Sequence, residues 1–204
     1  KTMSSIKLTA DSGGGTFEIK APASGSNARV LTVPDSASGT VLTTTNPKAG
    51  NIIQVLQSTK TDTASRHNTS YGDTGLSQAI TTTGSNKVLI RLFIQWGVEA
   101  GHAVSFRLAR VTGATTTNTI FIGDDGNSRD RVTLGGLAAN APWEVNPGSI
   151  EFLDSPGAGT HTYKLQWATP SGATVAYLNR SFRDNDAAGE ARTPSAITVM
   201  EVAV

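Results

Sequence analysis

The sequence predicts an all-β protein, an antiparallel sandwich, and three observations carry this prediction. Charged residues make up only 16% of the 204 positions, whereas globular proteins average about 25%. Thr, Ser, Gly and Asn stand in their place, and these residues compete with helical hydrogen bonds or form turns. Apolar and polar residues alternate in many short runs that end at Gly, Pro, Asn or Asp, as strands and their turns do.

Residues 1–50 contain four short alternating runs, SSIKL, GTFEIKA, ARVLTV and GTVLTTT. Turn residues separate the runs, and Asn46-Pro47 ends the last one. Few large side chains occur here, so this segment could hardly bury a core of its own. We therefore expect a β-rich N-terminal stem or docking segment that has no partner strands within itself and either packs on the body or pairs with other chains.

Residues 51–204 are expected to form one globular body, and its strongest strand signal is NKVLIRLFIQWGV. One face of this run is wholly apolar and holds Val88, Ile90, Leu92, Ile94 and Trp96. The opposite face mixes apolar and polar residues, namely Leu89, Arg91, Phe93 and Gln95. Because side chains alternate across a strand, we predict one face in the core and one face partly covered.

The other elements follow the same pattern. NIIQVLQ and GLSQAITTT precede the strong run, and HAVSFRLARV follows it, with GVEAGH predicted as a hairpin connection between the two. Further strands are expected in NTIFIG, SIEFLDS, HTYKLQWAT, ATVAYLNRSF and SAITVMEV, and a helical turn only in VTLGGLAANAP. About ten strands without intervening helices favour a single antiparallel sandwich over a parallel α/β sheet.

Composition narrows the classes of partner. A formal net charge of +1 gives no clustered positive field for nucleic acid or an anionic membrane. The absence of Cys excludes disulfides and thiolate metal sites. No apolar run approaches the roughly 18–20 residues needed to span a bilayer, and the N-terminus lacks the apolar centre of a secretory signal. We expect a soluble protein with neither nucleic-acid binding nor membrane insertion.

Catalytic constellations are not visible around the three histidines, His67, His102 and His161. Each lies in a polar loop or at a strand start, outside any GxSxG elbow or HExxH motif. A surface or capping role is favoured for each, with a chemical role as the alternative. A glycosidase needs two carboxylates that flank the sugar bond. The candidates for such a pair are Glu144, Glu151, Asp154 and Asp186, although their spacing in the sequence does not show that any two lie together.

The acidic stretch GDDGNSRD, with Asp124 to Asp130, is the best ion-binding candidate. The alternative to an ion site is a purely structural hairpin turn at Asp-Gly. The Asp-x-Asp-x-Asp-Gly pattern and the closing Glu of a calcium loop are missing, and Arg129 and Arg131 offset the local charge. The turn is favoured, and no catalytic, cofactor-binding or metal-ligating residue is assigned to this chain.

The three tryptophans differ in their setting. Trp96 and Trp167 lie inside strand runs and are predicted to be core or interface residues. Trp143, in NAPWEVNPG, lies in a loop, where it could stack on a sugar ring or anchor a protein partner. The favoured alternative for Trp143 is a side chain folded over the edge of the sandwich.

Several stretches in order resemble a family of bacteriophage virion proteins from marine and cyanobacterial phages, described as tail-fibre-like or structural. They are NIIQVLQSTKTDTAS, GLSQAITTTGSNKVLIRLFIQ, EFLDSPGAGTHTYKLQW and PSAITVMEV, which span about residues 51–202. The opening segment is similar to the leader that precedes such domains in fibre stems. An insert at about residues 123–148, rich in charge and Gly, departs from the family pattern and could be an interaction surface.

The resemblance implies a jelly-roll sandwich similar to tumour-necrosis-factor and complement-head domains, assembled as a homotrimer, with the last strand in the inner sheet. In that strand Ile197, Val199 and Glu201 would share one face, and Ala196, Thr198, Met200 and Val202 the other. A buried Glu201 would then need an Arg or a backbone partner, because an unpaired internal carboxylate is costly.

The leading functional expectation is a non-enzymatic virion structural protein, assembled in the host cytoplasm as a trimeric tail fibre or tail-associated appendage. It would contact other virion proteins and a host cell-surface receptor or polysaccharide during host attachment. One alternative is a capsid decoration protein or head fibre, which also predicts a trimer. A further alternative, from another class, is a polysaccharide-binding module or depolymerase.

Overall fold

The computed structural model describes residues 5–9, 12–20 and 47–204. Contacts divide the chain into two compact units, Lys1–Val41 and Leu42–Val204. The predicted strands ARVLTV and GTVLTTT lie outside the described residues. Within the described part of the chain every regular element is a strand, and no helix there is long and apolar enough to cross a membrane.

The first unit contains a β-hairpin. Strand β1 (Ser5–Thr9) pairs antiparallel with β2 (Thr16–Lys20). The turn between them places Gly13 and Gly14 at φ values of 86° and 66°, a left-handed backbone that glycine adopts without strain. The first two predicted runs are therefore strands that pair with each other, so the expectation of no partner within the segment was wrong for them.

The second unit contains the remaining strands. Their bounds are β3 (Ile52–Lys60), β4 (Ala64–Arg66), β5 (Gly72–Thr82), β6 (Lys87–Val98), β7 (Ala103–Thr112), β8 (Thr115–Thr117), β9 (Leu134–Ala138), β10 (Asn146–Asp154), β11 (Gly159–Ala168), β12 (Ala176–Leu178) and β13 (Ser195–Val202).

These strands form two antiparallel sheets that pack face to face. Sheet 1 has the order β10–β6–β13–β3, and the short strands β12 and β4 extend it past the end of β13. Sheet 2 has the order β5–β11–β7, and both β8 and β9 pair with the free edge of β7. The pairings are nested, since β3 pairs with β13, β5 with β11, β6 with β10 and β7 with β9. The predicted all-β antiparallel sandwich is confirmed.

The core lies between the sheets and is built from alternating positions of the long strands. In β6 every residue of the predicted apolar face is buried, from Val88 to Trp96. Sheet 2 contributes Phe106 and Trp167, whose rings stack with centroids 6.2 Å apart. Each buried side chain of this size contributes roughly 1.5–3 kcal/mol through removal of apolar surface from water, so the period-2 pattern is the main source of the fold's stability.

The predicted hairpin at GVEAGH was wrong. Strand β6 belongs to sheet 1 and β7 to sheet 2, so the connection carries the chain from one sheet to the other. Both strands have an apolar face, and the two faces meet the same core from opposite sides. In sheet 1 the neighbours of β6 are β10 on one edge and β13 on the other, so neither edge is free to pair with β7.

The predicted helical turn in VTLGGLAANAP was also wrong, because this stretch contains strand β9. Leu134 and Leu137 lie opposite Phe106 and Val104 of β7 and pack against the core. NTIFIG, which was expected to be a strand, is irregular. It still buries apolar surface, since Phe121 stacks on Phe152 of β10 with ring centroids 4.7 Å apart.

Candidate interaction face

The outer face of sheet 1, the side turned away from the core, carries an apolar row that crosses all its long strands. The register places Leu153 of β10 opposite Leu89 of β6, Leu89 opposite Met200 of β13, and Met200 opposite Val55 of β3. Leu153 is 46% exposed and Val55 is 54% exposed. We refer to Leu153, Leu89, Met200 and Val55 as the apolar row.

A polar row runs beside it, one step along the strands, and its members are already paired. Arg91 lies between Glu151 and Thr198, and its Nε is 2.9 Å from a carboxylate oxygen of Glu151. Gln57 donates from Nε2 to Oγ1 of Thr198 at 2.8 Å. Beyond this row Phe93 stands 49% exposed, and a shallow groove runs between Phe93 and Met200. The outer face thus mixes exposed apolar side chains with internally satisfied polar ones.

The outer face of sheet 2 is different in kind. Asp73 binds Lys164 at 2.9 Å and accepts from Nε2 of Gln166 at 2.7 Å, while Gln166 accepts from Nε of Arg107 at 2.8 Å. Among the described residues, the exposed large apolar side chains include none on β5, β7, β8, β9 or β11. The outer face of sheet 2 is therefore polar, whereas the outer face of sheet 1 presents exposed apolar side chains.

Glu201 is buried at the end of β13 and supports the junction of sheet 1 with the β5–β6 turn. Its carboxylate accepts from Nε2 of Gln54 at 2.6 Å, from the backbone N–H of Thr83 at 2.9 Å and from Nδ2 of Asn86 at 2.8 Å. Burial alone would raise the pKa of Glu201, but these hydrogen bonds outweigh it and hold the pKa below its ordinary value. The expected backbone partner is confirmed, and side-chain amides take the place of an arginine.

A second buried carboxylate, Asp154, joins the two sheets at the end of β10. It accepts from the guanidinium of Arg110 and, at 2.8 Å, from the hydroxyl of Tyr163, both of which come from sheet 2. Burial, reinforced by the neighbouring carboxylate, raises the pKa of Tyr163 above its ordinary value. The alternation in HAVSFRLARV puts Arg110 on the same strand face as Val104, Phe106 and Leu108, but no signal in the sequence identified Asp154 as its partner.

The carboxylates considered for a glycosidase pair have separate structural roles. Asp154 points into the core, whereas Glu151, on the same strand, lies on the outer face beside Arg91. Glu144 accepts from the backbone N–H of Asn140 at 2.9 Å, and Asp186 lies exposed in the loop after β12. Each has a local partner or solvent around it.

The three histidines also differ in their setting. His67 is exposed, and His102 is half-buried with its Nδ1 3.6 Å from Glu99. His161 is buried, so a surface role was wrong for it: its ring nitrogens lie 2.8 Å from Oγ1 of Thr112 and 3.1 Å from the carbonyl oxygen of Gly157. It tethers the β10–β11 turn to β7.

The stretch from Asp124 to Asp130 contains a turn in which the N–H of Arg129 donates to the carbonyl oxygen of Gly126 at 3.4 Å. Asn127 has a φ of 65°, and Arg131 donates from Nε to the carbonyl oxygen of Gly123 at 2.9 Å. The turn is present, but no strands flank it, so it is not a strand hairpin. In the residues that the structure describes, His, Asp and Glu nowhere gather in groups of three or more that could hold a metal ion.

The tryptophans differ in burial, and the prediction for Trp96 and Trp167 is confirmed. Trp96 and Trp167 are 4% and 2% exposed and belong to the core. Trp143 is 51% exposed, so half of its surface is covered by the protein and half is open to solvent. Its ring lies beside the guanidinium of Arg183, whose carbon is 5.4 Å from the ring centroid.

No family model matches the chain, and no curated protein matches it in sequence. Two of the solved structures that match are the insecticidal δ-endotoxin Cry8Ea1 of Bacillus thuringiensis and the infectious bursal disease virus, Gx strain. The first is 16% identical, with a TM-score of 0.33, over 69% of this chain and 20% of that chain. The second is 12% identical, with a TM-score of 0.32, over 98% of this chain and 45% of that chain. The chain therefore spans less than half the length of either, and likenesses this distant support no statement about function.

Proposed function

We propose that this chain is a non-enzymatic structural protein of a phage virion, a tail fibre or tail-associated appendage that assembles as a homotrimer through the outer face of sheet 1. The observation that carries the proposal is the apolar row, together with exposed Phe93 beside it. Large exposed apolar surfaces on soluble proteins mark interaction sites. The outer face of sheet 2 serves as a comparison within the same chain. It is polar and suited to contact with water, so the apolar side chains on the outer face of sheet 1 are not a general property of this chain's surface.

The energetics favour coverage of the outer face of sheet 1 by another chain. Completing the burial of a half-exposed large apolar side chain contributes roughly 1 kcal/mol, so Val55, Phe93 and Leu153 together contribute roughly 3 kcal/mol per subunit. Desolvating the adjacent polar row offsets part of this gain, because the Arg91–Glu151 pair is exposed in the free chain. Because Arg91 is already paired with Glu151, covering the row leaves no unpaired charge in the contact.

Two further features support the setting. The nested strand pairing supports the jelly-roll form of the sandwich that the resemblance implies, and jelly rolls occur in viral capsid and lectin domains. The ordered motifs from NIIQVLQSTKTDTAS to PSAITVMEV resemble virion proteins and support a place on the particle. The β1–β2 hairpin, with Leu8 and Ile19 exposed on a two-stranded sheet, suits a stem that pairs with other copies, because isolated hairpins are marginally stable.

Mass measurement in solution tests the assembly. The full chain at micromolar concentration should have three times the 21.2 kDa chain mass. Leu153→Asp and Val55→Asp should each yield monomers with unchanged β-sheet circular dichroism, because a carboxylate would be buried without a partner. The matched control is Ala79→Asp, an exposed position on the outer face of sheet 2, which should remain trimeric. A wild-type monomer, or trimers in both face variants, would refute this interface.

Labelling of the intact particle tests the virion setting. An antibody against the full chain, visualised by electron microscopy, should bind the tail. Label on the capsid surface would instead establish a decoration protein or head fibre. Particles that carry none of the chain would overturn the virion part of the proposal without affecting the trimer.

A further inference from the structure

Two loops meet at one end of the sandwich and form a surface distinct from the outer face of sheet 1. They are residues 139–145, between β9 and β10, and residues 179–194, between β12 and β13. The backbone N–H of Arg183 donates to the carbonyl oxygen of Pro142 at 2.9 Å, which joins the two loops. We call this surface the loop pair.

The first feature of the loop pair is an aromatic platform. Trp143 is 51% exposed, so half of its surface is accessible to a ligand. The guanidinium of Arg183 lies 5.4 Å from its ring centroid and holds the indole by a cation–π contact. The exposed indole surface is therefore held in place and available to a ligand.

The second feature is a polar groove beside the platform, formed by the longer loop and organised by ion pairs. Arg192 binds Asp184 through two hydrogen bonds of 2.7 Å, and Arg183 pairs with Glu190, which also accepts from Oγ of Ser181 at 2.7 Å. The groove has a volume of about 320 Å³ and is lined by Asp184, Asn185, Asp186, Ala187, Glu190 and Arg192. Because bidentate pairs fix the geometry, the groove is preorganised rather than assembled on binding.

The charges of the loop pair nearly cancel. Arg180, Arg183 and Arg192 are each paired with Asp184 or Glu190. The side chains of Asn185 and Asp186 remain exposed at the rim of the groove. A strongly charged polymer would find no excess of opposite charge here, whereas an uncharged ligand with many hydroxyl groups would find hydrogen-bond donors and acceptors.

We propose that the loop pair is a binding site for a neutral carbohydrate. A sugar ring has a C–H face, which suits the electron-rich face of an exposed indole, and a rim of hydroxyls, which suits carboxylate, amide and guanidinium groups. Trp143 stacks on one ring, and Asn185 and Asp186 contact the hydroxyls of that ring or the next one. This inference goes beyond the proposed assembly role and requires no chemistry from the chain.

Affinity electrophoresis of the full chain tests the proposal directly. Native gels containing neutral dextran, mannan, galactan or laminarin are compared with gels containing anionic alginate or no polymer. At least one neutral polymer should retard the protein. Since Trp96 and Trp167 are buried, the same polymer should change the tryptophan fluorescence of wild type through Trp143 alone.

Variants separate the site from the rest of the surface. Trp143→Ala should weaken binding by at least about ten-fold, in the range of an aromatic contact, and Trp143→Phe should retain part of it. Asp186→Ala together with Asn185→Ala should also weaken binding, whereas Phe121→Ala, an exposed aromatic elsewhere, should leave it unchanged. The proposal is overturned if none of the neutral polymers retards the protein, or if alginate alone does. It is also overturned if a neutral polymer retards Trp143→Ala as strongly as wild type. The oligomeric mass of each sample is measured in parallel, so failure here is distinct from failure of the trimer.

Discussion

Replacing Glu201 by glutamine should destabilise the sandwich, because the carboxylate is the acceptor for several buried donors. Oε1 accepts from Thr83 and Asn86, and Oε2 accepts from Gln54, whose Nε2 also donates to the carbonyl oxygen of Thr81 at 2.7 Å. In Glu201→Gln an NH₂ group replaces one oxygen. Gln54 must then turn its amide over, which leaves the Thr81 carbonyl without this donor.

The magnitude follows from the same contacts. Hydrogen bonds to a charged group contribute about 1.5–3 kcal/mol and neutral ones about 0.5–1.5 kcal/mol. Losing the charge at two or three bonds, offset by the lower desolvation cost of the neutral amide, gives a net loss of about 2 kcal/mol. For a chain of this size that corresponds to a melting temperature lower by about 4–8 °C.

The pH dependence provides a second measurement with a definite sign. The folded-state pKa of Glu201 lies below its ordinary value of 4.5. Its contribution to stability is therefore complete above that value and is lost as the pH falls through the folded-state pKa. Wild type should lose more stability than Glu201→Gln on acidification, so the two melting curves should approach each other at low pH.

Calorimetry at fixed protein concentration is the appropriate assay, because oligomerisation makes the melting temperature concentration-dependent. The control is Asp125→Asn, which changes an exposed carboxylate and should melt with wild type. The reasoning is refuted if Glu201→Gln melts with wild type at neutral pH, or if the difference between them grows on acidification.

Three further perturbations address other parts of the body, and each is measured by urea unfolding. Asp154→Ala leaves the guanidinium of Arg110 buried without its partner and should cost about 3–5 kcal/mol; an unchanged midpoint would show that the guanidinium escapes to water. Asn179→Ala removes a buried amide whose Nδ2 donates to two backbone carbonyls at 2.8 and 2.9 Å and should cost about 2–4 kcal/mol, whereas a loss near zero would mean that water replaces it. Gly97→Ala would drive a methyl group into the carbonyl oxygen of Arg180 and should cost about 1–3 kcal/mol; wild-type stability would show that the β12 end of sheet 1 can shift.

The sequence alone was sufficient where the signal is local. Alternation along β6 identified its core face from Val88 to Trp96, and alternation along β13 put Glu201 on the same face as Ile197 and Val199. Both predictions rest on the fixed two-residue period of a strand, which does not depend on what the strand pairs with. The cost of an unpaired buried carboxylate then required a hydrogen-bond partner for Glu201 before any partner was known.

Only the tertiary structure decided which strands lie side by side. The apolar row joins Val55, Leu89, Leu153 and Met200, positions far apart in the chain that meet because the registers of β3, β6, β10 and β13 align them. Proximity in sequence predicted a hairpin between β6 and β7, yet both strands bury an apolar face against one core and lie in opposite sheets. Periodicity tells which side of a strand is apolar, but the partner of that side is set by long-range pairing, and the outer face of sheet 1 exists only once that pairing is made.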